Sequence, residues 1–108
     1  MKKEFDFEKY IQRQIAWSQR TFGSSVRTIG LCKHIAKELD EIRSAPHDLT
    51  EWVDVMILAI DGAWRAGYSP EEIARGLKMK QGINFERQWP KNSRDDEPTE
   101  HLEETQCL

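Results

Sequence analysis

Long apolar runs are missing from this chain. The longest, Val55 to Ile60, is far too short to cross a bilayer, so no membrane partner is expected. The opening MKKEFDFEKY places acids where a leader peptide needs an apolar stretch, and a secretory signal is not expected. Cysteine is scarce. Cys32 falls in a helical pattern and Cys107 in a polar tail, which excludes a disulfide framework; no CxxC or Cys/His spacing suggests zinc. Reduced thiols fit a cytoplasmic protein. No GxxxxGK[ST] loop occurs, and no segment alternates with period two, so neither a P-loop enzyme nor strands are expected. Concentrated positive charge is absent too. The formal net charge is −3, and from Lys91 onward six acids face two bases, leaving about +1 on residues 1–90. Duplex binding needs a basic face, so no nucleic-acid partner is expected.

What the chain does have is helical periodicity. Phe7, Tyr10, Ile11, Ile15, Trp17 and Phe22 mark a first helix over residues 5–22, which Gly23-Ser24-Ser25 ends. Leu31, Ile35, Leu39 and Ile42 share one face of a second helix, over residues 28–43, and Pro46 disfavours helix at Ala45. Asp48 as N-cap with Glu51 at N3 forms a capping-box pattern for a third helix that stops near Gly67. Ser69-Pro70-Glu71-Glu72 opens a fourth, which continues to about Arg87 with a candidate break at Gly82. The expected fold is an all-α, four-helix bundle over residues 1–90, followed by an acidic, mostly disordered tail over 91–108. With 38% apolar residues and 32% charged ones, that core is small. Self-association through apolar faces is expected to supplement it, with Trp52, Met56 and Trp64 suited to a core or an interface.

Four acids stand out against this frame. Glu38 and Glu41 are three apart on the second helix, and Glu51 and Asp54 three apart on the third, so each helix presents a carboxylate pair on one face. The short turn between these helices makes them antiparallel neighbours, and the pairs can face each other. Converging carboxylates repel and lose hydration unless cations neutralise them. Hard oxygen ligands without His or Cys suit Mg²⁺, with Mn²⁺ able to substitute. In so charged a chain, two such pairs also arise on solvated faces. Asp54 weighs against that reading because Val55-Met56-Ile57-Leu58 follow it, and Asp61 recurs seven residues later amid apolar neighbours.

The pattern Glu38-x-x-Glu41 followed by Glu51-x-x-Asp54 resembles the signature of the all-α nucleoside triphosphate pyrophosphohydrolases, the MazG and dimeric dUTPase superfamily. The stretches that carry the resemblance are WSQRTFG (17–23), HIAKELDEI (34–42), DLTEWVDVMILAIDGAWRAGYSPEEI (48–73) and KQGINFERQWP (80–90). Within the superfamily the chain looks most like the small phage and bacterial dATP/dGTP pyrophosphohydrolase-like proteins of the MazZ type. The resemblance implies Mg²⁺ held by Glu38, Glu41, Glu51 and Asp54, and cleavage of a (d)NTP, dGTP or dATP, to the monophosphate and pyrophosphate. Glu38 or Glu41 is then the catalytic group that orients the attacking water or takes its proton. It also implies phosphate contacts from Lys80, Asn84 and Arg87, whose i, i+4, i+7 spacing puts them on one face. Trp17, Ser18 and Phe22 sit where the family's first helix borders the base. His34 and Asp61 are candidates for the shell behind the ligands. The gap between the acidic pairs is shorter than in many MazG relatives, which weakens any transfer of their substrate choice. The resemblance also sets the expected cytoplasm as that of a bacterium or a phage-infected host cell.

Two other classes compete. A non-catalytic helical module that binds nucleotides or a partner would share the fold, but it would not need all four acids. A di-iron or di-manganese carboxylate bundle needs Glu-x-x-His pairs, and none of the three histidines has Glu three residues before it.

Overall fold

Most of the start and stop signals in the sequence have a counterpart in the backbone. The computed structural model describes residues 4–91 and 94–103. Helix α1 spans Phe7–Phe22, α2 Thr28–Ser44, α3 Leu49–Arg65 and α4 Pro70–Glu86. The expected all-α class holds: the one β feature among the described residues is an isolated antiparallel bridge between Gln88 and Leu102. No helix among them is long and apolar enough to cross a membrane.

The helix ends show why these segments are helical. Asp6 caps α1 by accepting from the Lys9 amide at 3.1 Å. At α4, Ser69 and Glu72 form a reciprocal capping box, each side chain accepting from the other's backbone N–H at 3.1 Å. The capping box expected at α3 forms only in half. Asp48 Oδ1 accepts from the Thr50 amide at 3.0 Å and from the Thr50 hydroxyl at 2.6 Å, and the Glu51 carboxylate does not reach back to it. Glu51 turns instead toward α2. Beyond α3, Gly67 takes φ 109°, a left-handed value that only glycine adopts without strain, and its N–H donates to the Trp64 carbonyl. Helix α4 runs through Gly82 without the break considered there.

The chain divides into two compact units, Met1–Arg75 and Gly76–Leu108. In the first, α2 and α3 make the most extensive helix contact, and α1 leans on α3. Leu31, near the start of α2, lies beside Gly62, near the end of α3, so the pair is antiparallel. Its apolar core is five residues, Ile11, Leu31, Ile42, Ile60 and Trp64. Burial at ~25 cal/mol per Å² over so few side chains gives a thin margin for a domain of this length. In the second unit, the Trp89 indole donates to the Asn84 carbonyl at 2.9 Å and meets the His101 ring edge-on at 5.9 Å, while the Leu102 amide donates to the Gln88 carbonyl. The segment expected to be mostly disordered thus includes a stretch pinned beside the end of α4. Residues 104–108, Cys107 among them, lie outside the described residues. No residue of α4 is buried.

Candidate active site

The antiparallel packing of α2 on α3 brings the Glu38–Glu41 pair together with Glu51. One carboxylate oxygen from each of Glu38, Glu41 and Glu51 lies within 4.8 Å of the others. Among the described residues, no other three His, Cys, Asp or Glu side chains converge in this way. Asp54 is not in that trio. It stands on the open side of α3, where it lines a cavity of about 240 Å³ together with Glu38.

That exposure corrects one expectation. Apolar neighbours in sequence suggest that Asp54 is a buried acid, but a helix turns them away in space. The buried acid of α3 is Asp61, two turns further on and 5% exposed. It accepts from the Ser18 hydroxyl at 2.9 Å, the Trp64 indole at 3.0 Å and the Gln14 amide at 3.4 Å. Ser18 in turn accepts from Arg65, which also donates to the Ser25 carbonyl and lies over the Trp64 ring. Ser18, expected beside a base, is fully enclosed. Both faces of its hydroxyl are engaged, so it ties α1 to α3 instead of facing a ligand.

The acidic trio carries electrostatic tension. Hydrogen bonding with Glu41, burial, and the charges of Glu41 and Glu38 push the Glu51 carboxyl up from 4.5 to about 7. Glu38 Oε2 and Glu51 Oε2 are buried and have no hydrogen-bond partner. Native proteins rarely leave buried polar oxygens unpaired. Two such atoms in a cluster of hard, anionic donors fit a divalent cation of the Mg²⁺ type. His34 sits at the edge of the cluster with Nε2 3.2 Å from Glu38 Oε1.

The cavity gathers several of the remaining candidates. Trp17, Phe22, His34 and Asp61 line it with Glu38 and Asp54. Trp17 and Phe22 pack edge-to-face at 5.6 Å, and both rings are about half exposed. Arg27 lies over the outer face of Phe22, 5.1 Å from its centre. Among the lining residues, sequence reasoning missed the apolar Ile57 and Leu58 and one polar group, Gln14. Its only signal was position: it lies three residues before Trp17 on α1 and so shares its face. Lys80, Asn84 and Arg87 fall in the second unit, Arg87 one residue past the end of α4. Arg87 donates to the Asn84 side-chain carbonyl at 3.4 Å, and Lys80 is exposed.

An antiparallel helix pair presenting clustered carboxylates beside an aromatic-walled cavity defines a class: all-α proteins with an acidic centre. The comparisons are more specific. A family model described as dATP/dGTP pyrophosphohydrolase matches residues 10–107, and the chain belongs to that family. The match runs through the C-terminal segment as well as the helices. The chain is similar to the Eaa protein of Salmonella phage P22, 39% identical over 97 residues, which is 90% of this chain. It spans 30% of the length of that relative. No solved structure matches it.

Proposed function

We propose that the protein is a Mg²⁺-dependent nucleoside triphosphate pyrophosphohydrolase that converts dATP or dGTP to the monophosphate and pyrophosphate. The observation that carries this reading is the Glu38–Glu41–Glu51 convergence with two buried, unpartnered carboxylate oxygens. Family membership supplies the substrate class. Glu38, Glu41 and Glu51 hold the cation, with Asp54 completing the set from the cavity side. A bound Mg²⁺, for which Mn²⁺ would substitute, would supply the positive charge that offsets the phosphates and makes water acidic enough to attack.

The chain's own residues do the rest. Glu38 or Glu41 orients the attacking water and accepts its proton, and the carboxylate that turns toward the water is the catalytic base. His34 helps hold Glu38 in place from the edge of the cluster. Trp17 offers a face on which a purine stacks, and Phe22 braces that ring edge-on. Lys80, Asn84 and Arg87 supply an ammonium, an amide and a guanidinium fork for phosphate oxygens. The substitution Glu41→Gln, assayed with Mg²⁺ and both purine dNTPs, tests the assignment. Pyrophosphate release should fall on the order of a hundredfold or more, as for loss of a general base, and undiminished release would overturn it.

The same reading includes self-association as a homodimer or homotetramer. Leu49, Trp52 and Met56 recur at i, i+3 and i+7 on α3 and form an exposed apolar stripe, with Trp52 50% and Met56 61% exposed. Trp64, the third residue weighed for an interface, is in the core. A stripe of this kind, beside a core of five apolar residues among the described ones, calls for a second copy.

A further inference from the structure

We infer that Gln14 determines which purine the cavity accepts, reading the amino or oxo group at the 6-position, and that Asp61 is the positioning residue that fixes its amide. The inference rests on the pyrophosphohydrolase reading and deepens it. Gln14 is half-buried, lines the cavity, and stands on the same face of α1 as Trp17. A base stacked on Trp17 therefore presents its edge toward the Gln14 amide.

The orientation of that amide follows from its neighbour. Asp61 already accepts from Ser18 and Trp64 and presents only oxygens, so Gln14 must turn its NH₂ toward it and its carbonyl away. No hydrogen bond among the described residues uses the Gln14 carbonyl or its second N–H. A planar acceptor–donor pair in a fixed order is thereby left for a ligand. Adenine and guanine carry reversed donor and acceptor orders at positions 6 and 1, and different ones at positions 6 and 7. An amide free to flip would satisfy either base. One held by Asp61 satisfies only one of them with two hydrogen bonds.

The experiment compares kcat/KM for dATP and dGTP in the wild-type protein, Gln14→Leu, Asp61→Asn and the double variant. The wild type should favour one purine on the order of tenfold or more, the usual size of a two-point amide–base contact. Gln14→Leu should bring the ratio near unity by lowering the preferred substrate alone. Mn²⁺ affinity, read by electron paramagnetic resonance, and the melting temperature check that the fold and metal centre survive; Gln14→Met serves if the leucine variant does not fold. Asp61→Asn should shift the ratio in the same direction, because a carboxamide at that position pairs with the Gln14 amide either way round. The double variant should add nothing further. A merely structural Asp61 would depress both substrates equally. A wild type without purine preference, or a ratio untouched by Gln14→Leu in an active enzyme, overturns this inference alone. A wild type that releases no pyrophosphate from any nucleotide overturns the parent reading and this one with it.

Discussion

The replacement Ser18→Ala is the sharpest test of how α1 is held. Ser18 is the most fully enclosed polar residue in the interior: 0% exposed, donating to Asp61 Oδ2 at 2.9 Å and accepting from Arg65 Nη2 at 3.0 Å. Alanine removes one oxygen atom and both bonds. Asp61 keeps the Trp64 indole and the long Gln14 contact. Arg65 keeps only the Ser25 carbonyl, and its Nε has no partner to begin with. A hydrogen bond to a charged group contributes about 1.5–3 kcal/mol net, and stranding a buried donor costs more than losing a matched pair. Bonds in one network do not add fully, so the expected loss is about 3 kcal/mol. Domains of this length stand only about 5–15 kcal/mol above their unfolded state. The corresponding fall in melting temperature is about 12–20 °C at this size. Thermal and urea unfolding followed by circular dichroism at fixed protomer concentration reads the effect, since self-association would shift the midpoint. Thr21→Ala is the control: its exposed hydroxyl bonds the Trp17 carbonyl within the same helix, and its loss should stay within about 0.5 kcal/mol. A Ser18→Ala loss below about 1 kcal/mol would refute the claim that this hydroxyl ties α1 to α3.

The remaining predictions concern charge, assembly and the backbone. In metal-free protein the Glu51 carboxyl titrates at about 7 in the folded state against 4.5 unfolded, so the folded state binds more protons in that window. Its contribution to stability is fully present below about 4.5 and is lost as pH rises to about 7; Glu51→Gln should flatten that part of a melting-temperature profile taken with a chelator. Cation affinity should rise over the same interval, with proton release visible by calorimetry in buffers of different ionisation enthalpy. Trp52→Glu should lower the sedimentation-derived mass toward the protomer, and an unchanged mass would remove the α3 stripe from the interface. Gly67→Ala should cost about 1 kcal/mol or more in urea unfolding, because φ 109° suits glycine alone. Arg87→Ala should raise KM for both purine substrates by a similar factor, and a change confined to one purine would contradict a phosphate role.

Local signals made most of the backbone legible. Ser69-Pro70-Glu71-Glu72, Gly67 and Gly23 act through bonds within a few residues, and all of them mark helix ends. The acidic trio was legible for a related reason: i, i+3 spacing on two helices joined by a short turn leaves few ways to pack them apart. Asp54 and Asp61 were harder. Both follow or precede apolar residues, and only the rotation of α3 against α1 decides which one is enclosed. Ser18 looks like a surface residue because nothing in its own helix demands burial; its partners lie 43 and 47 residues away in sequence. Gln14 was invisible on the same grounds, since its meaning comes from Asp61. Glu51 shows the reverse case, a local motif overridden by tertiary contacts with Glu41 and Glu38.

That override separates two tasks often fused in one residue. Asp48 and Thr50 close the first turn of α3 between themselves, so the start of the helix owes nothing to the carboxylate one residue later. Glu51 can be exchanged for a residue with different donor chemistry, and α3 will still begin where it does. The acidic centre is thus a replaceable insert in an independently closed scaffold, open to retuning without rebuilding the helices that carry it.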